Sequence, residues 1–248
     1  MIKFFKNIRR GLIQDNRFTK YLLYAIGEIV LVMIGILLAF QVNSWKDRQT
    51  RAAKEISYLK EIRSNLLDDK RNLDSVVAFN EYKAKVTDSM FSALEMYSNP
   101  EQYMPIIIPY MYTLTEYEIF EPNRIAFNNM LAAENIDLIT NDNLKKHLSQ
   151  HYKKELDRTA QENVKQRSRQ FGDYVAVVSF NRETMKVIIG HDSQLKSISE
   201  VTLHKDPKVY AYLFSMLMST ESQTNILIQT KKETNALIAL IDQQINQL

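Results

Sequence analysis

The chain has 248 residues, 45% of them hydrophobic and 25% charged, with only five Gly and five Pro, a composition that excludes disorder and collagen-like repeats and leaves long tracts in which helices run uninterrupted. Cysteine is absent, which excludes structural disulfides, thiol catalysis and Cys-based zinc sites. The net charge of +3 is unevenly placed: residues 1–20 carry six basic side chains against Asp15, whereas residues 46–248 hold 26 basic and 27 acidic ones, so the main part of the chain lacks the basic face that nucleic-acid binding needs.

The first segment, MIKFFKNIRRGLIQ, places Ile2, Phe5, Ile8 and Leu12 at near-helical spacing with Lys3, Lys6, Arg9 and Arg10 between them. That pattern fits an interfacial helix on anionic lipid, and equally a positive tail that only sets topology. Residues 21–42 are then apolar except for Glu28 and Gln41, about the ~20 residues a helix needs to cross a ~30 Å hydrocarbon core. Tyr21, Tyr24 and Trp45 flank the stretch, where amphipathic rings favour the headgroup region. The following QVNSWKDR offers no small-residue cleavage site, so the segment is expected to stay as an anchor. Basic residues number six within twenty positions on either side. The nearly acid-free tail and the ability of a long C-terminal domain to cross regardless of charge tilt the orientation. The expected organisation is a cytoplasmic tail (1–20), a transmembrane anchor (21–45) and a periplasmic domain (46–248) on a bacterial inner membrane.

The tail and span, KFFKNIRRGLIQDNRFTKYLLYAIGEIVLVMIGILLAFQVNSW, resemble the start of a family of uncharacterised single-span membrane proteins found mainly in Bacteroidota. The resemblance continues more loosely through FEPNRIAFNNMLAAENIDLITNDNLKKHLSQHY and fades elsewhere. It implies an envelope location and a helical outer domain, and it brings no activity, cofactor or catalytic residue.

Within the span, Ala25, Glu28, Val32, Gly35 and Ala39 are spaced 3, 4, 3 and 4, with Gly27 beside them. Small residues let spanning helices approach closely, and an acid on their seam meets a partner instead of lipid. An ionised acid near mid-membrane costs about 2.5–3.5 kcal/mol on the insertion scale. Three readings follow for Glu28: an un-ionised group hydrogen-bonded in a homo-oligomer, a pair with another protein's span, or a proton relay as in stator-like complexes.

After Trp45 no Gly or Pro marks a linker, so the anchor is expected to continue into the first outer helix. Its seam reads Ile56, Leu59, Arg63, Leu66, Lys70, Leu73, Val77, Asn80, Ala84, Thr87, Phe91 and Leu94, ending near Asn99-Pro100. NPEQYMPIIIPYMYTLTEYEIF, with three prolines, reads as an irregular crossover covering the bundle's end. Pro122 opens a short helix, and Thr140-Asn141-Asp142 starts a second long one that runs to Ile189, with Gly172 as a bend and Gly190 as a left-handed stop. Asp206-Pro207 starts the last helix, with a seam of Leu217, Thr220, Thr224, Leu227, Thr234, Ile238, Ile241, Ile245 and Leu248. The fold class is therefore all-α: a transmembrane helix continuing into an elongated antiparallel helical bundle.

Candidate chemistry is sparse. His147, His151 and Glu155 share a helical face, but Lys145, Lys146, Lys153 and Lys154 surround them, which disfavours a cation. Arg124 is expected to hold the crossover through a carboxylate such as Glu118 or Glu134, or to bind an anion. His191, Asp192, His204 and Asp206 read as loop surface, and no hydrolase, phosphate-loop or metalloprotease motif accompanies them. No catalytic, cofactor-binding or metal residue is assigned. The expected role is a non-enzymatic assembly, scaffold or partner-binding subunit. It would contact membrane lipid and either a second copy or another membrane protein, and no nucleic acid. The alternatives are an accessory subunit of a proton-coupled complex using Glu28, and a ligand-sensing bundle.

Overall fold

A computed structural model describes residues 18–153, 158–179, 186, 190–192, 194 and 203–248. Among them are six α-helices and no strand: α1 (Phe18–Met96), α2 (Pro100–Thr115), α3 (Ile125–Ala132), α4 (Asp142–Lys153), α5 (Arg158–Ser179) and α6 (Pro207–Gln247). Single 3-10 turns occur at Ile136–Leu138 and Leu203–Lys205. The chain divides into two compact units, Met1–Ile56 and Ser57–Leu248.

In the first unit the described residues form the start of α1. Nearly every side chain from 22 to 43 is exposed, Leu23 by 66% and Phe40 by 70%, so this stretch is held by its own backbone ladder and buries no apolar face within its unit. It is long and apolar enough to cross a membrane.

In the second unit the rest of α1 packs antiparallel to α6. Arg63 pairs with Asp242 at 2.5 Å, Asp74 with Lys231, and Asn80 with Gln223 at 2.8 Å, so the partner number falls as the α1 number rises. Both helices bury residues at alternating intervals of four and three. On α6 these run Val209, Leu213, Met216, Thr220, Gln223, Leu227, Thr230, Thr234, Leu237, Ile241 and Gln244, the spacing of coiled-coil packing. The expected α6 seam is right at Thr220, Leu227, Thr234 and Ile241 and is rotated elsewhere.

The α1 seam is corrected in the same way. Leu59, Leu66, Leu73, Asn80, Thr87 and Leu94 are buried as expected, but the alternate positions are Glu55, Ile62, Asp69, Val76, Lys83 and Met90, each one residue before its expected counterpart. Three charged residues two heptads apart, Glu55, Asp69 and Lys83, occupy buried positions that a search for apolar side chains passes over.

Three apolar cores result, a small one of Leu73, Val76, Phe120 and Leu227 and two larger ones. One joins Met90 and Leu94 of α1, Tyr103, Ile107 and Met111 of α2, Phe171 of α5 and Leu213 and Met216 of α6. The other joins Leu59, Ile62 and Leu66 of α1, Phe127 and Met130 of α3, Leu144 and Leu148 of α4 and Leu237 and Ile241 of α6. Fully burying each such side chain stabilises the fold by about 1.5–3 kcal/mol.

The proline-rich stretch is helical, against expectation. Its buried residues Tyr103, Ile107, Met111 and Leu114 lie on one face while Pro105 and Pro109 lie exposed on the other. The carbonyls that each proline leaves without an N–H therefore face water, and burial of the inner face outweighs their loss. Gly172 acts through contact: a Cβ there would stand 3.0 Å from Thr115 Cγ2, so its lack of a side chain lets the end of α2 approach α5.

The other boundaries agree with the sequence. α1 ends at Met96. Asn141 Oδ1 accepts the Leu144 N–H at 3.0 Å, and Asp206 accepts the Lys208 N–H at 3.0 Å ahead of Pro207. Gly190 has φ +69° and donates to the Lys186 carbonyl. The short helix begins at Ile125, after Pro122, and residues 154–157, within the expected second long helix, lie outside the described residues.

Candidate functional site

The expected membrane seam lies on one continuous helix. Glu28, Gly27, Val32, Gly35 and Ala39 are exposed and Ala25 is half-buried. A Cβ added at Gly27 or Gly35 would meet nothing within 4 Å, so both glycines leave open surface along the helix. Lys3, Lys6, Arg9 and Arg10 lie outside the described residues.

A second constellation lies around the small apolar core that contains Phe120, where α2 and α3 are joined by a non-helical strap, residues 116–124. A non-helical backbone inside a helical bundle has no ladder to satisfy its N–H and C=O groups, so side chains must do it. Lys83 of α1 donates to the Glu116 carbonyl and to Ser168 Oγ of α5 at 2.6 Å. Gln223 of α6 donates to the Glu118 carbonyl at 3.1 Å while accepting from Asn80. Gln161 of α5 grips both sides of Phe120, accepting its N–H at 2.6 Å and donating to its carbonyl at 3.0 Å. Asp69 accepts the Asn123 N–H at 2.8 Å, and Asn65 accepts the Ala126 N–H at 2.9 Å.

The spacing explains why Asp69 and Lys83 hold opposite ends. Fourteen helical residues at 1.5 Å rise cover about 21 Å. The seven steps from Glu116 to Asn123, extended at about 3.3 Å each, cover about 23 Å. Two heptads of α1 therefore match the strap.

Burial sets the electrostatics. Asp69 is 1% exposed, and burial pushes its carboxyl up to about 6, opposed by the Asn123 N–H and the charge of Arg124. Lys83 is also 1% exposed, and burial lowers it to about 8 against the pull of Glu116. Burial likewise raises the Tyr152 phenol, with Asp69 adding to the rise. Arg124 donates to the Tyr152 carbonyl at 2.9 Å. It thus fastens the strap's end to α4 through a backbone oxygen.

His147 and His151 line a groove with Glu233 and Leu237 of α6. Glu155 lies outside the described residues, and among the described residues no three His, Asp or Glu side chains converge to hold a metal. His191 and Asp192 are exposed as expected. His204 and Asp206 are corrected: His204 is half-buried with its ring edge-on to Tyr103, and Asp206 is buried as the cap of α6 and accepts from Tyr174. The start of α6 sits against α2, so these loop residues are structural.

Sequence reasoning missed the strap because its partners are distant, from 33 residues away for Lys83 to 105 for Gln223. The one local signal was a run of polar residues at heptad positions of α1 and α6.

The chain matches a family of unknown function (DUF6090) over residues 28–163, more than half its length, and belongs to that family. The matched region begins at Glu28 and contains the whole strap. No curated protein and no solved structure matches the chain.

Proposed function

Taking the chain as a DUF6090 member with one helix suited to a bilayer, we propose that it is a non-enzymatic, single-span protein of a bacterial inner membrane. Residues 1–20 lie in the cytoplasm, 21–45 cross the bilayer, and 46–248 form a periplasmic domain that serves as a scaffold or binds a partner. Assembly runs through the seam of Ala25, Gly27, Glu28, Val32, Gly35 and Ala39. The observation that carries this reading is the exposure of an acid and two open glycines among the otherwise apolar residues 22–40 of α1. A second helix placed there fills the glycine surface and gives Glu28 a hydrogen-bond partner out of lipid.

The test is purification in mild detergent from native membranes, comparing the complex mass of wild type and Glu28→Leu. The wild type is expected as an oligomer or complex that the substitution breaks. Identical monomers for both overturn the assembly role. Glu28 also favours a second reading, an accessory subunit of a proton-coupled complex. Glu28→Gln separates the two, because it retains a hydrogen-bonded assembly and abolishes proton release.

A further inference from the structure

Beyond the apolar stretch, α1 carries Lys46, Arg48, Arg51 and Lys54, all exposed. Two acids lie among them, Asp47, which accepts from Asn43 at 3.4 Å, and the buried Glu55, so four basic side chains against two acidic ones leave residues 46–55 with a net charge of +2. At 100° per residue the four basic side chains are spread over about 200° of the helix circumference. They form a partial collar over little more than half of the circumference, and that spread fits a lipid layer better than a partner on one narrow face.

Their heights agree. At 1.5 Å per residue they stand about 6 to 18 Å beyond Val42, starting in the headgroup layer, which is about 5–8 Å thick on each side of the hydrocarbon core. Helical Cα–Cβ bonds tilt toward the N-terminus, so these long side chains lean back toward the apolar stretch, Lys46 and Arg48 setting their charges within the headgroup layer and Arg51 and Lys54 at and above its outer surface. Trp45, 60% exposed, sits at the same level.

We propose that Lys46, Arg48, Arg51 and Lys54 bind the phosphates of anionic lipid headgroups, holding a ring of such lipids around the end of the span that leads into the bundle. The proposal rests on the membrane reading above and is independent of orientation. It places a lipid-binding element on the face of the bilayer opposite the basic tail.

Trp45 is the only tryptophan, so its fluorescence reports the lipids at the collar and not those at the tail. The full chain is reconstituted into phosphatidylcholine containing a fixed minor fraction of phosphatidylglycerol, with bromine quenchers carried either on that lipid or on an equal fraction of phosphatidylcholine. Each basic residue at the surface enriches anionic lipid by at most about fivefold, and the brominated phosphatidylglycerol is expected to quench about twofold more. The excess is lost in K46Q/R48Q/R51Q/K54Q, and in the wild type it falls as sodium chloride rises, a readout that needs no variant to fold. Equal quenching by the two lipids in the wild type, or an excess unchanged in the variant, overturns the proposal. Selective loss of the excess on adding inorganic phosphate, against chloride at matched ionic strength, overturns the lipid as ligand in favour of a soluble anion. Absence of quenching by either lipid instead overturns the membrane reading on which the proposal rests.

Discussion

Two stretches of α1 follow opposite rules. Residues 22–42 show apolar side chains on every side, and their one acid is exposed among them. Residues 57–94 bury Asp69, Asn80, Lys83 and Thr87 in a line with Leu59, Leu66 and Leu73. Apolar outside and polar inside are both costly in water, but for different reasons. An apolar surface needs a medium or partner that removes it from water, whereas a buried polar group needs only a well-placed hydrogen bond. In the bundle the strap's backbone supplies such bonds to Asp69 and Lys83, while Asn80 donates to Gln223 and Thr87 to the Lys83 carbonyl.

The sharpest way to break this comparison is to remove a buried side chain that the strap depends on. Lys83→Ala strands the Glu116 carbonyl and Ser168 Oγ and leaves a cavity where the lysine stem was. The bundle should lose about 4 kcal/mol, combining the cost of unsatisfied polar groups with that of the void. Lys83→Met keeps most of the stem and should lose roughly half as much. Denaturant unfolding of both variants checks the order, and equal stability of wild type and Lys83→Ala would show that the strap does not hold the bundle.

The apolar stretch is tested by the reverse change. Ile34→Arg puts a charge near the middle of the exposed run, at a cost of about 3 kcal/mol for bilayer insertion. The variant should shift from the carbonate-resistant membrane fraction to the extractable one, with the bundle's unfolding transition unchanged. A shift in that transition instead would mean that this surface packs against the bundle.

How much of this was legible from the amino-acid order follows from which signals are local. The apolar run, the Asn141 and Asp206 caps and the Gly190 stop depend on a few adjacent residues, and each was read correctly. The α1 seam slipped by one at alternate positions because counting apolar residues favours Ile56 and Ala84 over the charged Glu55 and Lys83, and does not separate Lys70 from Asp69. α2 was missed because two prolines outweigh, in any local reading, the burial of Ile107 and Met111 against distant helices. The spacing of Ala25, Glu28, Val32, Gly35 and Ala39 is equally local. The strap is not, since the side chains that make an extended segment stable there come from three helices.

The same buried charges predict a pH dependence. The Asp69 carboxyl lies at about 6 against an ordinary 3.8. The native state therefore holds this proton more tightly than the unfolded chain, and the resulting stability is complete below 3.8 and lost as pH rises through 6. Lys83, lowered from 10.5 to about 8, behaves oppositely: its contribution is complete above 10.5 and lost as pH falls through 8. Between about 6 and 8 both groups are charged and both cost stability. Denaturation midpoints should therefore be lowest in that window, and Asp69→Asn should raise stability at neutral pH by about 2 kcal/mol while flattening the acid limb.

The smallest effect belongs to the rim of the α1–α6 interface, where Asp74 and Lys231 pair with side chains 45% and 35% exposed. Water screens this pair and competes for both partners, so Lys231→Gln should cost about 0.5 kcal/mol, and less as salt is added. The contrast with Lys83 is one of environment. Both are lysines that bridge to a neighbouring element, but the exposed one can exchange its partner for water and the buried one cannot. If Lys231→Gln cost as much as Lys83→Ala in the same denaturant series, burial would not be what sets the worth of these contacts, and the opposite rules of the two α1 stretches would lose their common physical basis.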